Sequence, residues 1–188
     1  VNQSIGVVAI QGDFEKHIEA FHRAGVSQVS EVRTPEELAG IDRLVIPGGE
    51  STTVGKLMDR FGLGVAIQER AKKGMPVWGT CMGLILMARE VQGHEQYTLD
   101  LLDVSVKRNA FGAQAHSFED NVDFEGLVEP ITGVFIRAPV VTNLGPNVMV
   151  LARYDDEIVG VRQGNCMGTS FHPELTDDVR IHEIFLKL

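Results

Sequence analysis

Cysteine is scarce: the 188 residues hold two, Cys81 and Cys166. Two cannot build a disulfide framework, and neither sits in a Cys-x-x-Cys or Cys/His spacing that would hold a metal. A cysteine that matters here matters as a thiol. Basic charge is also short, with 17 Lys and Arg against 26 Asp and Glu, leaving a net charge of −9. Such a surface repels phosphate, so nucleic acid and anionic membrane are poor partners. Long apolar runs are missing. The longest, Val77 to Ala88, is interrupted by Gly79, Thr80 and Gly83 and falls short of the roughly 18 residues that span a bilayer. Val1-Asn2-Gln3-Ser4 lacks the basic residues of a secretory signal, and the expected compartment is the cytoplasm. Phosphate loops are absent too. Gly49 to Gly55 encloses five residues rather than four, Lys56 precedes Leu57, and no Gly-x-Gly-x-x-Gly fingerprint occurs.

What remains is an ordinary globular composition, 44% hydrophobic and 23% charged, at a length suited to one domain spanning residues 1–188. The first half alternates strands and helices. Ile5 to Ile10 reads as a strand, and Phe14, Ile18 and Phe21 follow at helical spacing before Gly25. Thr34-Pro35-Glu36-Glu37 predicts a brief helix, with Thr34 as cap and Pro at its first position. Arg43 to Pro47 and Met75 to Trp78 are apolar strands, with helices between them around Val54, Leu57 and Met58 and over Val65 to Lys73. A further helix follows through Leu84 to Ala88. Later segments (Leu102 to Val106, Gly133 to Arg137, Asn147 to Tyr154, Glu157 to Arg162 and Cys166 to Phe171) suggest antiparallel or mixed additions. Thr176 is expected to cap a last helix with Ile181, Ile184, Phe185 and Leu188 inward. The pattern predicts a single-domain α/β fold, doubly wound in the flavodoxin or Rossmann manner, with a mixed, mainly parallel sheet flanked by helices.

The strongest chemical signal is Gly79-Thr80-Cys81-Met82-Gly83, the cysteine counterpart of a nucleophile elbow between strand and helix. Small flanking residues permit the tight turn, and the free N–H groups of the following helix favour thiolate. The bland alternative is a buried cysteine whose glycines serve close packing. Of the six histidines (His17, His22, His94, His116, His172, His182), most read as surface residues. His172 differs, because it follows the apolar strand and precedes Pro173-Glu174. In extended chain residues two apart face one side, so Glu174 can orient the His172 imidazole, and Pro173 argues against a helix there. Pro47-Gly48-Gly49-Glu50-Ser51 follows a strand whose end lies at the same sheet edge, where a main-chain N–H could complete an oxyanion hole. Arg108 and Arg137 suit an α-carboxylate through their bidentate forks, or are surface ion-pair residues. Glu50 could meet an α-ammonium, or simply favour a helix start. Cys166 lies within a strand and has no elbow, which marks it as structural.

Gly79-Thr80-Cys81-Met82-Gly83 with His172-Pro173-Glu174 resembles the class I (triad) glutamine amidotransferases. Within them, Ile10-Gln11-Gly12, Pro47 to Thr52, Arg108 to Gly112, Gly133 to Pro139 and Ser170 to Leu175 are similar to the glutaminase subunits of pyridoxal 5′-phosphate synthases, nearly end to end. That resemblance implies hydrolysis of L-glutamine to glutamate and ammonia, without cofactor or metal, and transfer of the ammonia to a synthase subunit. It implies Cys81 as nucleophile, His172 as acid and base, and Glu174 as its orienter. It further implies Gly49 and Met82 as oxyanion donors, with Gly49, Glu50, Ser51, Arg108, Ile136 and Arg137 contacting glutamine. It implies a synthase dodecamer decorated with glutaminase subunits that are weak until docked. Two positions depart from the pattern: Met82 stands where a small residue is common, and Ala113 where Arg is common. The competing readings are another triad glutaminase, such as that of histidine biosynthesis, a γ-glutamyl hydrolase, or a non-catalytic thiol sensor on the same scaffold.

Overall fold

A computed structural model describes residues 3–112 and 116–188; Ala113 lies outside them. The first half runs β1 (Ser4–Val8), α1 (Phe14–Arg23), β2 (Gln28–Val32), α2 (Pro35–Leu38), β3 (Arg43–Ile46), α3 (Ser51–Arg60), α4 (Leu63–Lys72), β4 (Val77–Thr80) and α5 (Met82–Met87). The second half adds β5 (Ala88–Val91), β6 (Leu102–Lys107), β7 (Ser117–Val122), β8 (Ile131–Ile136), β9 (Val140–Leu144), β10 (Met149–Tyr154), β11 (Glu157–Gln163), β12 (Cys166–Thr169) and α6 (Arg180–Phe185). Ten strands form one sheet in the order β2-β1-β3-β4-β12-β11-β9-β6-β5, with β10 on β11, and β7 pairs with β8 separately. β2, β1, β3, β4 and β12 are mutually parallel. β11 then reverses direction against β12, so the sheet is mixed, as the sequence pattern predicts. Among the described residues no helix is long and apolar enough to cross a membrane.

Alternation along the strands sends successive side chains to opposite faces. Val8, Leu44, Ile46 and Val77 join an aliphatic cluster with Val54, Met58, Leu63 and Ile67 from α3 and α4. Ile5, Val7, Val45 and Trp78 face the other way, onto Phe21 of α1, Phe185 of α6 and Phe135 of β8. One face is therefore aliphatic and the other carries the large rings.

Several boundaries differ from those read in the sequence. Thr34 caps α2 as predicted, accepting from Glu37 N at 3.2 Å. The last helix starts at Arg180 rather than after Thr176. Thr176 Oγ1 instead accepts from Asp178 N at 3.2 Å, and the Asp178 carboxylate accepts from Arg180 N at 3.0 Å, so a local turn takes the expected cap's donors. β2, β5, β7 and β9 have no counterpart in the sequence pattern, being short, polar on one face, or both.

Candidate active site

The parallel strands all end at one edge of the sheet, which is where ligands bind in open α/β folds. Cys81 follows β4 there, with φ 52° and ψ −105°. This left-handed backbone is costly for a residue with a side chain and is kept only where its surroundings over-determine it. The surroundings are specific. Cys81 N donates to Thr169 O at 2.8 Å, tying the elbow to β12. A Cβ on Gly79 would fall onto the Gly83 carbonyl, and one on Gly83 onto the Ile46 carbonyl, so both positions must be glycine. Asn109 (φ 46°) and Arg137 (φ 47°) share the left-handed conformation, and all three residues line one cavity of about 270 Å³.

His172 reaches the same cavity from the segment after β12. Its N–H donates to Val134 O at 2.8 Å, fixing it against β8. Glu174 does sit beside it, but not through extended chain. Pro173–Leu175 is a 3-10 turn, which accepts proline at its first position because no N–H is needed there. The turn brings His172 Nδ1 to 2.5 Å from Glu174 Oε1. Both side chains are buried, at 4% and 2% exposure. Burial alone would pull the imidazole pKa down. The neighbouring Cys81 side chain and the Glu174 carboxylate outweigh that and raise it. Burial in turn raises the Glu174 carboxyl, opposed by His172. Gly48 is needed beside this pair, since a Cβ there would stand 2.5 Å from His172 Cε1.

The thiol itself is 7% exposed, with Sγ 3.6 Å from the Ile136 carbonyl oxygen. The other residues singled out in the sequence, Gly49, Glu50, Ser51, Met82, Arg108, Ile136 and Arg137, line the cavity; Glu174 stands behind His172 instead. Met82 reaches across to the neighbouring loop, its Cε lying 3.3 Å from where a Gly49 Cβ would be. Glu50 caps α3, accepting from Thr52 N at 3.1 Å and Thr53 N at 2.7 Å. These bonds, led by Thr53, hold its carboxyl down at about 2. Arg108 Nη2 is 3.6 Å from Glu50 Oε1, and Nη1 is 3.4 Å from both Thr52 Oγ1 and Gln96 Oε1. Gln96 Nε2 also donates to Ser51 Oγ at 3.2 Å. The sequence pattern assigns no role to Asp13, Ile85, Asn109 or Gln96, although Asp13 adjoins Ile10-Gln11-Gly12 and Asn109 lies within Arg108 to Gly112, which was the available signal.

The remaining cysteine lies at the far end of the strands. Cys166 pairs with Val77 at the start of β4, opposite the edge that bears Cys81, and burial pushes its thiol up to about 11. It is structural by position and by chemistry.

The mixed, mainly parallel α/β sheet that carries the cysteine elbow and the histidine–glutamate pair at one edge has the fold of the class I glutamine amidotransferases. One solved structure described as a glutamine amidotransferase superposes with a TM-score of 0.93 at 49% identity, covering 97% of each chain. PurLQS from Thermotoga maritima shares the fold at a TM-score of 0.72 and 19% identity, over 100% of this chain and 99% of that one. The chain belongs to the SNO glutamine amidotransferase family, whose pattern it matches over residues 7–188. Pyridoxal 5′-phosphate synthase subunit PdxT of Thermus thermophilus is 51% identical over 98% of this chain and 96% of its own length. The same subunit of Mycolicibacterium smegmatis is 49% identical over 97% and 96%.

Proposed function

We propose that the single domain of residues 1–188 is the glutaminase subunit of pyridoxal 5′-phosphate synthase, with Cys81, His172 and Glu174 as its catalytic triad. The observation that carries this reading is the meeting, at one cavity, of a strained cysteine elbow with a buried His172–Glu174 pair from the far end of the chain. Cys81 passes its thiol proton to His172, Sγ attacks the side-chain amide carbon of glutamine, and the carbonyl electron pair moves onto the oxygen. Gly49 and Met82 supply N–H groups to that oxyanion. The tetrahedral intermediate collapses, the C–N bond breaks, and His172 gives its proton to the departing nitrogen as ammonia leaves. His172 then takes a proton from water, whose oxygen displaces sulfur from the thioester and releases glutamate. Glu174 holds the ring and stabilises the imidazolium throughout.

Glutamine is held by Gly49, Glu50, Ser51, Arg108, Ile136 and Arg137, all at the cavity wall. The arginines answer its α-carboxylate and Glu50 its α-ammonium. In neutral water ammonia becomes mostly ammonium, which has no lone pair to attack with, and this favours a sealed route into the synthase subunit. The partner is a synthase dodecamer that carries glutaminase subunits, in the cytoplasm, and activity is low until docking. The names of the relatives support a synthase partner, and the dodecamer and the low activity before docking follow from the family resemblance alone.

The test is ammonia release from glutamine by wild type and Cys81→Ala, each with and without a synthase subunit. Wild type should be slow alone and accelerate with synthase, while Cys81→Ala should lose at least about 10³-fold under both conditions. Retained activity in the variant removes Cys81 as nucleophile. High turnover indifferent to synthase removes the coupling.

A further inference from the structure

Two histidines that the mechanism does not use lie behind Glu174, His17 against it and His182 against His17. They are not surface residues, as the sequence suggested: His17 on α1 and His182 on α6 are both 0% exposed. His17 Nε2 is 3.2 Å from Glu174 Oε2 and 3.2 Å from Thr80 Oγ1, while its Nδ1 is 3.0 Å from His182 Nε2. Glu174 Oε1 is taken by His172. Among the described residues Oε2 is buried with no hydrogen-bond partner, His17 Nε2 lying at contact distance without being aligned on it, and His182 Nδ1 likewise has none.

Full burial keeps both rings neutral. It lowers His17 well below its ordinary value, with His182 and His172 adding to the effect. It takes His182 to about 3, where Arg23 lowers and Asp178 raises. Each ring therefore carries one N–H, and the hydrogens can run in two directions. In one, His182 Nε2–H donates to His17 Nδ1, and His17 Nε2–H donates to the Thr80 hydroxyl with its positive edge 3.2 Å from Glu174 Oε2. The atom left over is then a bare lone pair on His182 Nδ1, beside the rings of Phe21 and Trp78. In the other, His182 keeps an unpaired buried N–H and His17 points a lone pair at a carboxylate. An orphaned donor and a lone pair against an anion are both penalised, whereas a bare acceptor among aromatic rings is the smaller loss.

We infer that His17, held in its Nε2–H tautomer by His182, is a positioning residue for Glu174, securing the second carboxylate oxygen so that the first stays ionised and aimed at His172. This rests on the triad reading above. The groups that face Glu174 are His172, His17 and, through its charge alone, Asp13. Asp13 opposes ionisation, so a donor on Oε2 acts against it.

The test compares His17→Met, which fills the space without a donor, with His17→Gln, whose amide N–H replaces the ring Nε2–H. Both are assayed as the complex with saturating synthase. For His17→Met, kcat should fall about tenfold with KM for glutamine little changed, and the acid limb of kcat/KM should move up by about one pH unit, because an unsupported carboxylate holds its proton to higher pH. His17→Gln should recover most of both. Equal impairment of the two variants, or a His17→Met pH profile that overlays wild type, overturns the inference. Nitrogen chemical shifts of ¹⁵N-histidine wild type decide the matter even if His17→Met does not fold. His17 should carry its proton on Nε2 at neutral pH, and a proton on Nδ1, or on both nitrogens, refutes the assignment. Failure of the triad reading shows separately, as a Cys81→Ala variant that still releases ammonia.

Discussion

The two walls of the cavity are built in different ways. Cys81, His172 and Glu174 are at most 7% exposed. Cys81 and His172 are locked to neighbouring strands by main-chain bonds of 2.8 Å, to Thr169 and Val134 respectively. Across from them Arg108 and Glu50 are partly exposed, and Asn109 and Arg137 are open to solvent. Arg108 is engaged with Glu50 at 3.6 Å, and Arg137 joins no ion pair among the described residues. In the function proposed above, the wall with Cys81 and His172 is organised in advance, whereas the wall proposed to hold glutamine carries charges that would trade partners when the amino acid arrives. That exchange costs little, because a part-exposed ion pair contributes at most about 1 kcal/mol.

Substitutions on the two walls should therefore separate kcat from KM. Glu174→Gln attacks the organised wall directly: kcat should fall about 10²–10³-fold with KM nearly constant, measured with synthase present. A comparable rise in KM would mean that the walls are not independent. Gly48→Ala presses a methyl onto the His172 ring and should lower kcat about 10- to 100-fold while the fold survives; unchanged kcat would show that the imidazole can give way. Arg137→Ala on the opposite wall should raise KM about tenfold and leave kcat within a few-fold, and an unaltered KM would remove it from the substrate grip.

The smallest effect concerns the scaffold behind the chemical wall. His182 has its pKa depressed from 6.5 to about 3. The unfolded chain thus binds a proton that the folded one refuses, and stability falls as pH drops from 6.5 toward 3. The slope from one such group is at most about 1.4 kcal/mol per pH unit. In urea titrations between pH 6 and 4.5, His182→Phe should show a shallower loss of stability than wild type, by about 1 kcal/mol per pH unit. Parallel profiles would mean that His182 is already charged in the folded protein.

The parallel strands β1, β3 and β4 were legible because they are apolar and buried, and the helices between them carry an apolar stripe, whereas the polar edge strand β2 gave no signal. β7, with Glu119, Asp120 and Asn121 in its middle, gave no such signal, since it pairs with β8 outside the main sheet. The proposed triad was legible in its two motifs, yet the link between His172 and Glu174 is a 3-10 turn where the sequence predicts extended chain. Pro173 starts a 3-10 turn as readily as it ends a helix. His17 was passed over although Phe14, His17, Ile18 and Phe21 fall at one helical stripe. A polar residue on an inward stripe was the available clue.

Local chemistry in the chain thus determined the strand-and-helix alternation, the glycine-flanked elbow at Cys81 and the adjacency of His172 to Glu174, because each depends on residues near one another in sequence. Only the packed structure decided that α1 brings His17 against Glu174 and α6 brings His182 against His17, and that Arg108 meets Glu50. Those partnerships depend on which buried faces converge. A histidine far along the chain carries no local mark of the carboxylate it will meet.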